Sequence, residues 1–124
     1  MKICITSQGK TLDSQIDPRF GRCAYFIIID PDTMEFEAIE NSSAQSMGGA
    51  GIQSGQLISS KGVKALITGN VGPNAFQTLQ ASEIEVITGV SGVVKDAAIK
   101  YKTGVFKPTN SSTVGSHYGI KGGK

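Results

Sequence analysis

Two short apolar runs near the beginning of the chain, residues 3–5 and 25–29, do most to constrain the fold. Residues 2–7 alternate between isoleucine and smaller side chains, which predicts a strand, whereas residues 23–30 are too apolar for a surface strand and predict a mid-sheet position. The connection between them, about residues 7–22, is much longer than the roughly 4–6 residues usual between elements of a compact domain. Because it contains two arginines, a proline and a phenylalanine, its composition is poor for a slack linker. We therefore expect this loop to hold something.

The rest of the chain completes the element order β-β-β-α-β-α-β-α. An alternating strand is predicted at residues 35–41, after a turn at 30–33. Further strands are predicted at 63–68 and 85–88, and helices begin near residues 52, 75 and 93. Right-handed crossovers then predict a mixed five-stranded sheet in the order 3-2-1-4-5, with strand 2 antiparallel and helices on both faces. We expect one α/β domain over residues 1–103, followed by a flexible polar tail of glycine, serine and lysine over 104–124.

Composition excludes several classes of function. The net charge of +2 provides no overall basic surface for nucleic acid. No apolar run approaches the roughly 20 residues of a membrane span, and the start lacks a signal-peptide core, so we expect a cytoplasmic protein without a membrane partner. The chain has no serine–histidine–acid arrangement or zinc-protease motif, and its first strand lacks the carboxylates with which a nuclease would bind magnesium. We expect no catalytic activity.

Three loops should meet where the chain leaves strands 1 and 4 in opposite directions, since ligands bind at such switch points in open α/β sheets. They are residues 7–22, 69–74 and, nearby, 42–51. The last two are glycine-rich and precede helices, whose unpaired amide groups suit an anion. Neither matches a nucleotide-binding fingerprint. The same glycines could instead serve only as tight turns.

The arginines of the first loop have two possible roles. Arg19 and Arg22 could bind an anionic ligand as a fork. Alternatively, they could pair with Asp13, Asp17 or solvent. Phe20, between them, is expected to anchor the loop by packing.

Few soft metal ligands are present. The two cysteines, nineteen residues apart, match neither a disulfide framework nor a zinc spacing. Cys4 is expected to be buried, whereas Cys23 could face either the site or the core. Met47 offers a thioether, and His117, in the tail, could be solvated or could fold back as a ligand.

Three segments of the sequence, residues 17–26, 49–52 and 68–75, together resemble the dinitrogenase iron–molybdenum cofactor biosynthesis family. This is the family of NifX and of the C-terminal domain of NifB, with stand-alone members related to the orange protein. The resemblance covers about residues 1–103 and implies a ribonuclease-H-like fold. It also implies non-catalytic binding of an anionic metal–sulfur cluster of iron–molybdenum, iron–sulfur or molybdenum–copper type, and as partners a cluster-assembly ATPase or a client metalloenzyme.

Two departures from the family pattern bear on how a cluster would be held. Arg19 stands where many members have histidine, and Met47 with two glycines stands where many have histidine before Gly-Ala-Gly. Both shift the expectation from direct ligation toward holding by charge. The residues expected to bind the cluster are Arg19, Phe20, Gly21, Arg22, Gly49, Gly51, Asn70, Gly72 and Asn74, with Cys23, Met47 and His117 as candidate metal ligands.

Two other functions remain open on the sequence. The protein could be a metal-free interaction module that works with a cluster-assembly ATPase, or it could sense a small anion or nucleotide. In any of these roles, we expect residues 7–22 and the tail to be the most mobile parts of the free protein.

Overall fold

The computed structural model describes residues 1–42 and 49–109, in which it has five strands and three helices. The strands are β1 (Ile3–Ser7), β2 (Tyr25–Ile29), β3 (Phe36–Glu40), β4 (Ala65–Ile67) and β5 (Glu85–Ile87), and the helices are α1 (Ala50–Ser60), α2 (Pro73–Ala81) and α3 (Val94–Lys102). This is the predicted order, with bounds that differ from the predicted ones by one or two residues.

The strands form one mixed sheet in the order β3-β2-β1-β4-β5. β2 runs antiparallel to both of its neighbours, β1 and β3, whereas β4 is parallel to β1 and β5 is parallel to β4. The predicted order and the antiparallel second strand are therefore confirmed. All five residues of β1 are buried, because it lies at the centre of the sheet and is covered on both faces.

Each face of the sheet packs against its own helices. One cluster of buried side chains joins the sheet to α1 and α2, and its members include Cys4, Phe26, Ile28, Leu66, Ile58 and Leu79. The other joins the opposite face to α3, and its members include Ile3, Ile5, Ile27, Ile67, Val94 and Ala98. The expectation of helices on both faces is therefore confirmed, and the architecture has three layers.

Helices α1 and α2 approach each other through glycine. A Cβ atom added at Gly51 would lie 2.9 Å from Cβ of Ala75, and one added at Gly55 would lie 2.9 Å from Cγ2 of Thr78. Residues four apart share one face of a helix, so the two glycines form a continuous flat contact. As a result, the first turns of α1 and α2 lie side by side.

The chain remains attached to the domain beyond α3. Phe106 packs against the cluster on the α3 side of the sheet. The amide of Thr109 donates to the carbonyl of Val86 at 2.6 Å, and its hydroxyl accepts from the amide of Thr88 at 3.2 Å. Residues up to Thr109 of the expected tail therefore contact the domain, and the rest of the expected tail lies outside the described part. No helix of the described residues is both long enough and apolar enough to cross a membrane.

We expect Gly55→Ala to lower the free energy of unfolding by roughly 1–3 kcal/mol, because the new methyl group would overlap with Cγ2 of Thr78. Thr78→Ser removes that carbon and keeps the hydroxyl that donates to Asn74. In that background Gly55→Ala should be neutral or stabilising, since alanine is favoured over glycine in a helix by about 1 kcal/mol. Urea unfolding of the four variants of this cycle measures the effect. An equal cost in both backgrounds would contradict the close helix contact.

Candidate functional site

The long connection between β1 and β2, residues 8–24, is fastened first to α3. The carbonyl of Ser14 accepts from the amide of Val94 at 2.9 Å, and that of Leu12 accepts from the amide of Lys95 at 2.9 Å. These bonds satisfy amide groups in the first turn of α3. The N-terminus of α3 is therefore used by the protein itself.

The second fastening joins the loop to the segment after β4. The amide of Asn70 donates to the carbonyl of Pro18 at 2.8 Å, and the amide of Phe20 donates to the carbonyl of Asn70 at 3.2 Å. A Cβ atom added at Gly69 would lie 2.7 Å from both Cα and O of Pro18. Only glycine allows the two backbones to come this close.

The third fastening joins the loop to the start of α1. Gly21 has φ of 92°, and a Cβ atom there would lie 3.1 Å from Cα and 3.2 Å from N of Gly51. Since Gly51 also contacts α2 at Ala75, the loop, α1 and α2 meet at the end of the sheet where β1 and β4 finish. This end of the sheet is the predicted switch point.

Asn41, which was not among the predicted site residues, fixes the end of the loop. It is buried, and its Nδ2 donates to the carbonyls of Gly21 at 3.0 Å and of Cys23 at 2.9 Å. The signal that could have revealed it is its register: it follows Ile39 by two positions, so a polar side chain points inward at the end of a strand.

Arg19 is held in place by a buried carboxylate. Oδ1 of Asp17, whose side chain is only 4% exposed, accepts from the amide of Arg19 at 3.0 Å and from its Nε at 3.3 Å. The pairing with Asp17, one of the two alternatives, is therefore present. Because it uses Nε, both terminal amino groups of the guanidinium lie outside the bond, and the Arg19 side chain is 59% exposed. Arg22, three residues on, is also exposed.

The two helices beside these arginines begin without polar caps. α1 follows Gly49, which has φ of 74°, and α2 follows Gly72 with Pro73 in its first turn. Neither helix has a side-chain cap or an acidic residue in its first turn. No acidic side chain in either first turn therefore offsets the partial positive charge at the N-terminus of the helix, and this charge adds to the charges of the two arginines.

Cys23 lies in the core, beneath the switch point. Burial, followed by the charge of Asp17, raises the pKa of its thiol to about 12, and burial also raises the pKa of Cys4 well above 9.0. Both cysteines are free. A buried, protonated thiol is a poor metal ligand, so this conformation disfavours Cys23 as a ligand. Across the part of the chain that the structure describes, there is no group of three or more histidine, cysteine or acidic side chains that could hold a metal ion.

The predicted site residues separate into those at the surface and those in the core. At the switch point, the exposed predicted residues are Arg19, Arg22, Gly49 and Asn74, and the half-buried ones are Gly51, Asn70 and Gly72. Gly21 also lies there but is buried against Gly51. Phe20 is buried with its ring centroid 5.9 Å from that of Phe26, as expected of a packing anchor, so it supports the site from below. Met47 and His117 lie outside the described residues, and their role as ligands stays a prediction.

We expect Asn41→Ala to cost about 1–3 kcal/mol of stability, because two buried carbonyls lose their donor. Asn41→Asp should be no better, since a carboxylate cannot donate to carbonyls. Ser42→Ala, an exposed neighbour, is the control and should stay within about 0.5 kcal/mol of the parent. Thermal and urea unfolding measure all three. A parent-like Asn41→Ala would show that the loop end does not depend on this amide.

The buried thiols also predict a pH dependence. Since the pKa of Cys23 is raised from 9.0 to about 12, the folded state retains a proton that the unfolded state loses between these values. Its contribution to stability is therefore complete below pH 9 and is lost as the pH rises toward 12. Urea unfolding between pH 8 and 11 should show a shallower decline in Cys23→Ala than in the parent. Identical slopes, or rapid reaction of both thiols with a disulfide reagent at pH 8, would contradict their burial.

Comparison with known proteins agrees with this architecture. The family profile described as "Dinitrogenase iron-molybdenum cofactor" matches residues 1–104. The apo form of the orange protein from Desulfovibrio gigas superposes with a TM-score of 0.86 at 38% identity, covering 90% of this chain and 94% of that one. A putative NifB protein from Thermotoga superposes with a TM-score of 0.76 at 37% identity, covering 90% and 97%.

A curated sequence relative is also similar. An uncharacterized protein of Methanocaldococcus jannaschii is 36% identical over 77 residues, which are 60% of this chain and 65% of that protein's length. The profile match, by contrast, spans every helix and strand that the structure describes, together with the loops after β1 and β4. The chain belongs to the dinitrogenase iron-molybdenum cofactor family.

Proposed function

We propose that this protein binds an anionic metal–sulfur cluster without catalysing a reaction, as a carrier or as an accessory of cluster assembly. The observation that carries the proposal is that Arg19 and the uncapped first turns of α1 and α2 lie together at the switch point. Family membership supports a role connected with the iron–molybdenum cofactor. The similarity to the orange protein and to a putative NifB protein supports the same class of ligand.

The charge and the hydrogen-bonding groups of such a cluster match those of the switch point. Metal–sulfur clusters carry negative charge and present sulfides that accept hydrogen bonds, so amide groups, helix N-termini and guanidinium groups can hold them with few metal–protein bonds. The burial of Cys23 and Cys4 fits this way of holding the ligand. Iron–molybdenum, iron–sulfur and molybdenum–copper clusters all share the required charge, and the chain's arginines do not distinguish among them.

Asp17 would act as a positioning residue for Arg19. Its carboxylate binds Nε and so restricts the guanidinium, while both terminal amino groups remain outside this contact and could bind a ligand. Because the loop is already fastened at Asn70 and Gly51, binding would cost less conformational entropy than it would for the mobile loop expected from the sequence.

Two other features of the proposal come from the resemblance, namely the ribonuclease-H-like label for the fold and a cluster-assembly ATPase or client metalloenzyme as the partner. A cytoplasmic location is proposed from the sequence, independently of the resemblance. Free thiols at both cysteines fit a reducing compartment.

The test is anaerobic titration with tetrathiomolybdate plus copper and, separately, with iron plus sulfide. Visible absorbance and metal content are measured after desalting. We expect stoichiometric retention by the parent, and a loss of affinity of roughly tenfold to a hundredfold in Arg19→Gln or Arg22→Gln, the effect of removing one charge-assisted bond. Lys100→Gln, on the exposed side of α3, removes the same charge elsewhere and should bind like the parent.

The remaining outcomes separate the alternatives. Loss of metal in Met47→Ala or His117→Ala, with Arg19→Gln unaffected, would replace holding by charge with direct ligation. If the parent retains no metal from either mixture, the metal-free interaction module becomes the better explanation. Thermal stabilisation by phosphate or nucleotides, without stabilisation by clusters, would instead identify an anion sensor.

A further inference from the structure

The outer edge of β3 presents unpaired main-chain groups. Asn41 donates to Ala24 and Asp30 donates to Glu35, which fixes the alternation of the β2–β3 ladder. Odd-numbered residues of β3 therefore bond to β2, and the amides and carbonyls of residues 36, 38 and 40 point away from the sheet. Within residues 1–42 and 49–109, nothing pairs with this edge. The opposite edge, at β5, is partly covered by Thr109.

The strand at this edge and its neighbours in sequence carry only acidic charges, although the N-terminus, Lys2 and Lys61 lie close to some of them in space. Residues 23–60 contain no lysine, arginine or histidine, and their five acidic residues all fall between positions 30 and 40. They are Asp30, Asp32, Glu35, Glu37 and Glu40. Pairing of β3 with the same strand of a second copy would bring these like charges together, which is destabilising. The edge is therefore suited to a basic segment rather than to self-association.

A cavity lies next to the start of β3, at the end of the sheet opposite the switch point. Its volume is about 240 Å³, and it is lined by Lys2, Ile28, Asp30, Glu35, Phe36 and Glu37. Two of its carboxylates have long, exposed ion pairs, Asp30 with the N-terminus at 3.7 Å and Glu37 with Lys61 at 3.9 Å. Such exposed pairs contribute little and exchange easily. Because none of the described acidic residues belongs to a group of three suited to a metal ion, the cavity fits an organic cation better.

The two faces of the edge differ in chemistry. On the α1 side, Glu37 neighbours Ile28 and borders the cavity. On the α3 side, Phe36 is 43% exposed and Ala38 packs against the core. Since side chains of a strand alternate between faces, a segment laid beside β3 would match this edge with basic residues on one face and apolar residues on the other.

We propose that β3 binds an extended segment of a partner protein in which basic and apolar residues alternate. The segment adds a sixth strand, with its main chain bonded to residues 36, 38 and 40, and it places a lysine or arginine side chain in the cavity. This is strand addition to an exposed sheet edge, in which the main chain supplies affinity and the pocket supplies specificity. The site is separate from the switch point and does not depend on the metal.

The probe is a seven-residue peptide of alternating arginine and valine, titrated into the full chain with amide chemical shifts and calorimetry as readouts. We expect shifts centred on Phe36, Ala38 and Glu40. Two further peptides are methylated on one or the other set of alternate amide nitrogens, so that each lacks the donors on one side of the strand. The peptide that lacks the donors facing β3 should bind at least tenfold more weakly than the unmethylated peptide. A glutamate–valine peptide should not bind.

Protein variants separate main-chain pairing from charge. Ala38→Pro removes an amide that points outward and leaves the ladder to β2 intact, a position that an edge strand tolerates. It should abolish peptide binding while cluster retention stays at the parent level. Glu35→Gln with Glu37→Gln should weaken binding at least tenfold, whereas Glu83→Gln, an exposed acid in the turn before β5, should not.

Three results would overturn the proposal. The first is equal weakening by Glu83→Gln, which would indicate non-specific attraction. The second is unchanged binding of both alternately N-methylated peptides, or unchanged binding of the original peptide by the Ala38→Pro variant. The third is slow amide exchange at residues 36, 38 and 40 in the free chain, which would show that this edge is already paired by the chain itself or by a second copy.

Discussion

Close contact between backbones at glycine residues holds the long loop against the rest of the structure at the switch point. Gly69 lets Pro18 lie against the segment after β4, and Gly21 lies directly on Gly51 at the start of α1. A side chain at Gly69 would overlap with Pro18, and one at Gly21 would press against the backbone of Gly51. Because Gly51 also faces the Cβ atom of Ala75, one continuous series of close contacts joins the loop to both helices. The position of Arg19 is set by these contacts.

The buried polar groups beneath the switch point add little negative charge to its surface. Asp17 is buried and bound to Arg19, and its backbone is tied to Thr6 by bonds of 3.0 and 2.7 Å. Asn41 satisfies two buried carbonyls without introducing charge. The thiol of Cys23, raised in pKa, stays neutral. Of these three buried groups, only the carboxylate of Asp17 is charged, and it is bound to Arg19.

Much of this could be predicted from the sequence, because the determining signals are local. Apolar runs and turn residues gave the elements, and crossover handedness gave the sheet order. The sheet order also predicted that the loops after β1 and β4 meet at one end of the sheet, as they do. Asn41 and the direction of Cys23 could not be obtained in the same way, since both depend on how the loop end packs against β3. The start of α1 at Ala50, two residues before the predicted start, reflects the contact of Gly51 with Ala75, which no periodicity reveals.

The acidic residues of β3 and the arginines of the loop lie at opposite ends of the sheet. Asp30, Glu35 and Glu37 lie at the end where β1 begins, among the N-terminus, Lys2 and Lys61, whereas Arg19 and Arg22 lie where β1 ends. The full length of the central strand therefore separates the two regions, and no side chain named at one end belongs to the other. A substitution at either end can be made without removing a contact at the other, so the two regions are free to diverge independently.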